Sequence, residues 1–333
     1  MTHELKRIVL QYEKRQEQAV LATVVALDGS SYRRPGVRMM IFENGDMVGA
    51  VSGGCVEKEV FHQAASVFST GLSKIMVYDG RYRLGCEGIL YILLETFAPD
   101  QVLLDRFWGS IKARRPFGIT SFFKKEHGVD ADQHSLFEFD GEVLPVCGTA
   151  KKQGQGLLRF DQTLDPCFQL LILGAEHDAV QLCQFAALAG WEVTVVANPR
   201  EEKTEKDFPG IHKFIQSEPE AFVHTLDKQT AVMVMTHSFV KDLQFVMSLS
   251  GERAAYFGLL GPTKRREKLL GELLERQPEV SAMFLEDIHG PAGIDIGAET
   301  PQEIAISILS EILSTIHGKQ TNSLRHKGGK IHS

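Results

Sequence analysis

A chain of 333 residues exceeds one typical domain, so two compact units are expected, each long enough to bury a core of its own. Its 43% apolar and 24% charged content is that of a water-soluble globular protein, and no apolar run approaches the roughly 20 residues of a membrane helix. A formal charge of −7 argues against a broad nucleic-acid surface, the lack of a C-x-x-C pair against structural zinc, and five irregularly spaced cysteines against a disulfide framework. With no secretory signal at residues 1–18, these features predict a cytoplasmic protein with free thiols.

Leu5, Ile8, Val9 and Tyr12 have the i, i+3, i+4, i+7 spacing of an amphipathic helix over residues 4–17. AVLATVVAL (19–27) reads as a buried strand and VRMMIF (37–42) as a second, from which the turn ENGD (43–46) leads into a third over 47–52. Gly53 and Gly54 are expected to end that strand, and residues 56–69 to form a helix closed by Gly71. Strands over 74–79 and 89–97 flank the loop GRYRLGCEG. Residues 1–100 therefore read as a mixed α/β domain. Residues 101–166 carry short β-like runs, FGITSFF and SLFEFDGEVLPV among them, and are expected to be a connector or β extension. Residues 168–199 switch to strand, glycine turn, helix, strand, a βαβ unit. AVMVMTHS (231–238) and AYFGLLG (255–261) continue the alternation, which predicts a Rossmann-like, doubly wound parallel sheet over 167–318. Thr300-Pro301-Gln302-Glu303 is a capping box with Pro at the first helical position, and residues 319–333 read as a flexible tail.

Cys55, in VSGGCVEKEV, follows two glycines and precedes a predicted helix, where unpaired N–H groups and the helix dipole favour a thiolate. A small residue packed at a tight turn fits the same sequence. Cys86, in RLGCEG, has the same two readings, a buried thiol in a glycine-rich turn or a reactive one. Arg33 and Arg34, in SSYRRPG, either present guanidinium forks to a phosphate or carboxylate or form a solvated loop. GPTKRREKLL (261–270) puts Lys264, Arg265 and Arg266 at a helix start that either attracts an anion or is a solvated face.

The glycine turn of the βαβ unit asks for G-x-G-x-x-G, with an acid at the end of the next strand. This chain has Gly174-Ala175-Glu176-His177-Asp178-Ala179, and Asn198 where the acid belongs, so the fold is predicted without a standard NAD site. HGPAGIDIGAETPQE (289–303) is expected at the carboxyl edge of that sheet, with Asp295 and His289 as its polar candidates.

Taken together, SSYRRPGVRMMI, VSGGCVEKEV and LGCEG resemble the N-terminal domain of the XdhC/CoxI family, accessory proteins that mature xanthine dehydrogenase and related molybdenum hydroxylases. LLILGAEHDAV, AYFGLLGPTKRREKLL and GPAGIDIGAETPQEIAISILSEIL resemble that family's Rossmann-like C-terminal domain. The resemblance implies a chaperone, rather than a catalyst, that binds the molybdenum cofactor (molybdopterin), protects its sulfurated form and delivers it to the apo-hydroxylase. A cysteine desulfurase is the implied partner for sulfuration. A homodimer is one assembly that a glycine-rich site at a subunit boundary would allow.

Carried onto this sequence, the implied cofactor contacts are Ser52, Gly53, Gly54, Cys55 and Glu57, with Gly85 and Cys86; Cys55 is also the implied contact to molybdenum. Arg33 and Arg34 would hold the cofactor phosphate, and Gly174, His177 and Asp295 are the candidates in the C-terminal domain. Departures from the family pattern are Glu87, Glu176 and Asp178. Two readings from other classes are an NAD(P)-binding oxidoreductase and a nucleotidyltransferase acting on the pterin. The first is disfavoured by Glu176 and Asn198, the second by the lack of a glycine-rich loop with metal-binding acids.

Overall fold

The computed structural model describes residues 1–29, 31, 34–54, 56–82 (Tyr82 by its backbone), 88–148 and 156–327. The chain forms two compact units, Met1–Pro166 and Cys167–Ser333.

In the first unit α1 (Thr2–Arg15) leads into β1 (Ala19–Asp28), β2 (Arg38–Phe42) and β3 (Met47–Gly49). Then come α2 (Glu57–Thr70), β4 (Lys74–Asp79), β5 (Ile89–Thr96), α3 (Gln101–Lys112), β6 (Phe117–Phe123), β7 (Gly128–Val129), β8 (His134–Phe139), β9 (Glu142–Pro145) and β10 (Leu158–Leu164). Two sheets result, ordered β3-β2-β1-β5-β4-β7 and β10-β6-β8-β9. Every strand pair in both is antiparallel.

Period-two alternation in β1 explains the layering. Val20, Ala22 and Val24 pack with Val60, Ala64 and Val67 of α2 on one face. Ala19 and Leu21 join α1, α3 and the aromatic residues of β6 and β8 on the other. Residues 101–166, expected as a connector or β extension, thus supply a helix and a second sheet to the same unit as residues 1–100. Helix α3 was not among the expected elements, although Asp100 caps it by accepting the Leu103 N–H at 2.8 Å.

The second unit alternates regularly: β11 (Gln169–Leu173), α4 (His177–Leu188), β12 (Glu192–Ala197), β13 (Lys213–Gln216), β14 (Thr230–Val234), α5 (Phe239–Leu249), β15 (Tyr256–Leu259), α6 (Thr263–Arg276), α7 (Ala282–Glu286), β16 (Ile288–His289) and α8 (Pro301–Ile316). Its six strands are all parallel in the order β13-β12-β11-β14-β15-β16, the doubly wound arrangement expected. Near-continuous apolar strands bury both faces, Leu170 and Ile172 toward α4 and α8, Leu171 and Leu173 toward α5 and α6. The predicted capping box at Thr300 and Glu303 opens α8. Among the described residues no helix is long and apolar enough to cross a membrane.

Candidate functional site

Three motif segments of the first unit leave one end of its first sheet. Ile89, the first residue of β5, lies opposite both Asp28, the last of β1, and Asp79, the last of β4. At the same end β2 starts at Arg38, and Gly49, the last residue of β3, lies opposite Met39. Antiparallel order therefore brings the connections 29–37, 50–56 and 80–88 to a shared edge. Arg33, Cys55, Gly85 and Cys86 lie outside the described residues. Ser52, Gly53, Gly54 and Glu57 lie within them, as does Arg34, which is exposed.

The segment before α2 differs from expectation. The strand stops at Gly49 instead of running to Ser52, residues 51–54 bend, and the helix begins at Glu57 with Val56 as N-cap. Glu57 turns back on the segment: its carboxylate accepts the Ser52 N–H and the Ser52 hydroxyl, each at 2.7 Å. The Ser52 oxygen in turn accepts the N–H of Gly54 at 3.2 Å and of Val56 at 3.3 Å. Burial pushes the Glu57 carboxyl up, but the hydrogen bonds from Ser52 outweigh it and hold the group below the usual carboxylate range. Glu57 is thus the brace of this turn.

The Val56 N–H is engaged, and Glu57 and Glu59 put negative charge into the first turn of α2. Among the described residues no atom beyond the chain neighbours lies within 4 Å of where a Cβ of Gly53 or Gly54 would stand, and at φ 125° Gly54 occupies a conformation other residues avoid.

A polar rim that the sequence analysis missed borders this end. Asp28 accepts hydrogen bonds from Lys125 (2.5 Å) and Tyr91 (3.0 Å), which hold its carboxyl below its ordinary value. Further along the sheet, opposite Thr23 and Leu21 of β1, Arg38 and Glu95 are 5% and 4% exposed. Their signal was legible: a cation in RMMIF and an anion in ILYILLET, each alone in an apolar strand.

In the second unit the crevice at the carboxyl ends of β11 and β14 is the expected ligand position. Gly174 is buried there at φ 125°, and a Cβ would stand 2.5 Å from the Met235 carbonyl oxygen. Close approach of the neighbouring chain is reason enough for glycine. Glu176 is the N-cap of α4 and His177 its first residue, both exposed. The Asn198 side chain donates to Glu218 at 2.7 Å. Burial pushes the nearby Glu201 carboxyl up, with Glu176 and Glu218 adding to it.

The basic start of α6 is tied down. Arg265 pairs with the buried Asp242 at 2.6 Å, and Arg266 donates to the Ile288 carbonyl at 3.3 Å. Asp295 is exposed and accepts its own loop's Gly297 N–H at 3.4 Å. His289, expected at the carboxyl edge, lies in β16, stacks on Tyr256 with 4.5 Å between centroids, and contacts Glu311 at 3.2 Å. It lines a groove of about 740 Å³ with Arg253 and Ala254, which precede β15. No cluster of three or more His, Cys, Asp and Glu able to hold a metal ion occurs among the described residues.

Comparison with known proteins fits both units. The profile of the XdhC and CoxI family matches residues 13–79, and that of the XdhC Rossmann domain matches 170–312. A curated relative from Bacillus subtilis, named as a probable xanthine dehydrogenase subunit, is 29% identical over 90% of this chain and 94% of its own. The Escherichia coli "Molybdenum cofactor insertion chaperone PaoD" is 24% identical over 92% of this chain and 86% of its own. A crystal structure titled as a xanthine dehydrogenase from Bacillus halodurans shares the fold at TM-score 0.77 and 24% identity, covering 95% of this chain and 97% of that one. With a matching profile on each unit, in the order of the motifs read from the sequence, the chain carries an XdhC and CoxI family region followed by an XdhC Rossmann domain.

Proposed function

We propose that this protein binds the molybdenum cofactor at the shared end of its first sheet, protects the sulfurated form, and delivers it to an apo-hydroxylase of the xanthine dehydrogenase type. The observation that carries the proposal is the convergence of the three motif connections on that edge. The names of the two full-length relatives support an accessory role connected with this cofactor.

The residues present fit such a cargo. A dithiolene-bound metal with a terminal phosphate calls for a soft ligand or N–H donor at one end and cations at the other. Cys55 would contact the molybdenum, with Cys86 and Gly85 on the adjoining connection. Gly53 and Gly54 add no side chain there, and Ser52 with Glu57 fixes the shape of the bend. Arg34, exposed, and Arg33 would hold the phosphate. Gly174, His177 and Asp295 belong to the second unit, and their part would be secondary. A cysteine desulfurase is the partner class that sulfuration requires, and cytoplasmic residence and a homodimer accord with this role.

Co-expression with an apo-hydroxylase tests the proposal. Molybdenum and terminal sulfur in the purified hydroxylase should rise when this protein is present. Equal contents with and without it would refute a delivery role.

A further inference from the structure

Arg38 is an unexpected occupant of the first unit's interior. It opens β2, is 5% exposed, and lies opposite the fully buried Thr23 of β1. Burial pulls its guanidinium down to about 10, with Glu95 pulling the other way, so it remains charged near neutral pH. Nη1 donates to the Gly36 carbonyl at 2.9 Å and to Gln162 Oε1 at 2.6 Å. Nε and Nη2 are buried without a partner among the described residues. A buried cation with two idle donors lowers stability, so packing alone does not account for it. What it holds does.

Gly36 is the second root of the segment that carries Arg33 and Arg34. Its N–H donates to Val24 at 2.7 Å, and at φ 95° a Cβ would collide with the Gln162 amide. The first root is Asp28, bound by Lys125 and Tyr91. Gln162 belongs to β10 and reaches Gly36 through Arg38, whereas Lys125, which follows β6, binds Asp28 directly, so each root is linked to the second sheet or its connections. Glu95 reinforces the junction by accepting the Ser135 N–H of β8 at 2.8 Å.

We propose that the second sheet of the first unit is a clamp on Asp28 and Gly36, the two roots of the connection that leads to β2, with Arg38 as the positioning residue that joins Gly36 to Gln162 and Lys125 as the grip on Asp28. The clamp sets where the arginine-bearing segment leaves the sheet. Its bearing on cargo rests on the reading that this segment contacts the cofactor phosphate.

Hydrogen exchange on the full chain, without cofactor, tests the clamp in Gln162→Ala, Lys125→Ala and Arg38→Lys, the first two being mild enough to fold if the third is not. Exchange over residues 29–37 should quicken about tenfold in Gln162→Ala while Ile89–Thr96 stays unchanged. Molybdopterin retained by the purified variant should fall about threefold at an unchanged thermal midpoint. Unaltered exchange at 29–37 in both Gln162→Ala and Lys125→Ala would overturn the clamp. Faster exchange with full retention would overturn the positioning role. A wild-type protein that retains no cofactor would instead sink the functional reading, and exchange would still decide the clamp.

Discussion

Glu57 grips Ser52 with both carboxylate oxygens, accepting its N–H and its hydroxyl at 2.7 Å each, and so braces the bend that carries Gly53 and Gly54. The motif acid therefore acts on its own backbone. Glu57→Ala should lower stability by about 2 kcal/mol, because two charge-assisted bonds are lost and the Ser52 N–H and hydroxyl lose their acceptor. Glu57→Gln, which keeps one acceptor, should lose less. Urea unfolding of the three proteins measures this, and an Ala variant as stable as wild type would refute the brace.

Gly174 and Glu176 should respond in opposite ways. Gly174→Ala places a Cβ 2.5 Å from the Met235 carbonyl oxygen at φ 125°, and at least about 2 kcal/mol of destabilisation is expected. Glu176, exposed and without a side-chain capping bond, should tolerate Gly within about 0.5 kcal/mol. Thermal denaturation of both variants checks the contrast. A harmless Gly174→Ala would show that chain approach does not require glycine there.

Acid should weaken the second unit through Glu311. Burial pushes its carboxyl up, but hydrogen bonds from His289, Tyr256 and the Gly293 N–H hold it below its ordinary value. A depressed carboxyl contributes its full stability above the unfolded value of about 4.3 and loses it as pH falls through the lower folded value. Denaturation midpoints of wild type and Glu311→Gln should therefore differ most near neutral pH and converge in acid. A gap independent of pH would refute this linkage.

Local signals in the sequence were read where local chemistry decides. Gly71, the capping box at Thr300 and the strand Lys74–Asp79 stand as expected. The third strand ended early because residues 51–54 follow the grip of Glu57, a side-chain choice that strand periodicity does not report. Arg38 and Glu95 were passed over since each strand was read alone. Their relation follows from register, Thr23 opposite Arg38 and Leu21 opposite Glu95. Convergence of the motif connections is likewise a product of strand order, whereas the types of residue they carry were plain from the start. Glu176 and Asn198 were read as departures from a dinucleotide fingerprint, and in the fold Glu176 is the N-cap of α4 while the Asn198 side chain donates to Glu218.

The most direct measurement is the molybdopterin content of Cys55→Ala purified from cells that make the cofactor, beside wild type, together with delivery to an apo-hydroxylase. The account predicts a folded variant that retains and delivers markedly less cofactor. Retention and delivery equal to wild type would contradict it.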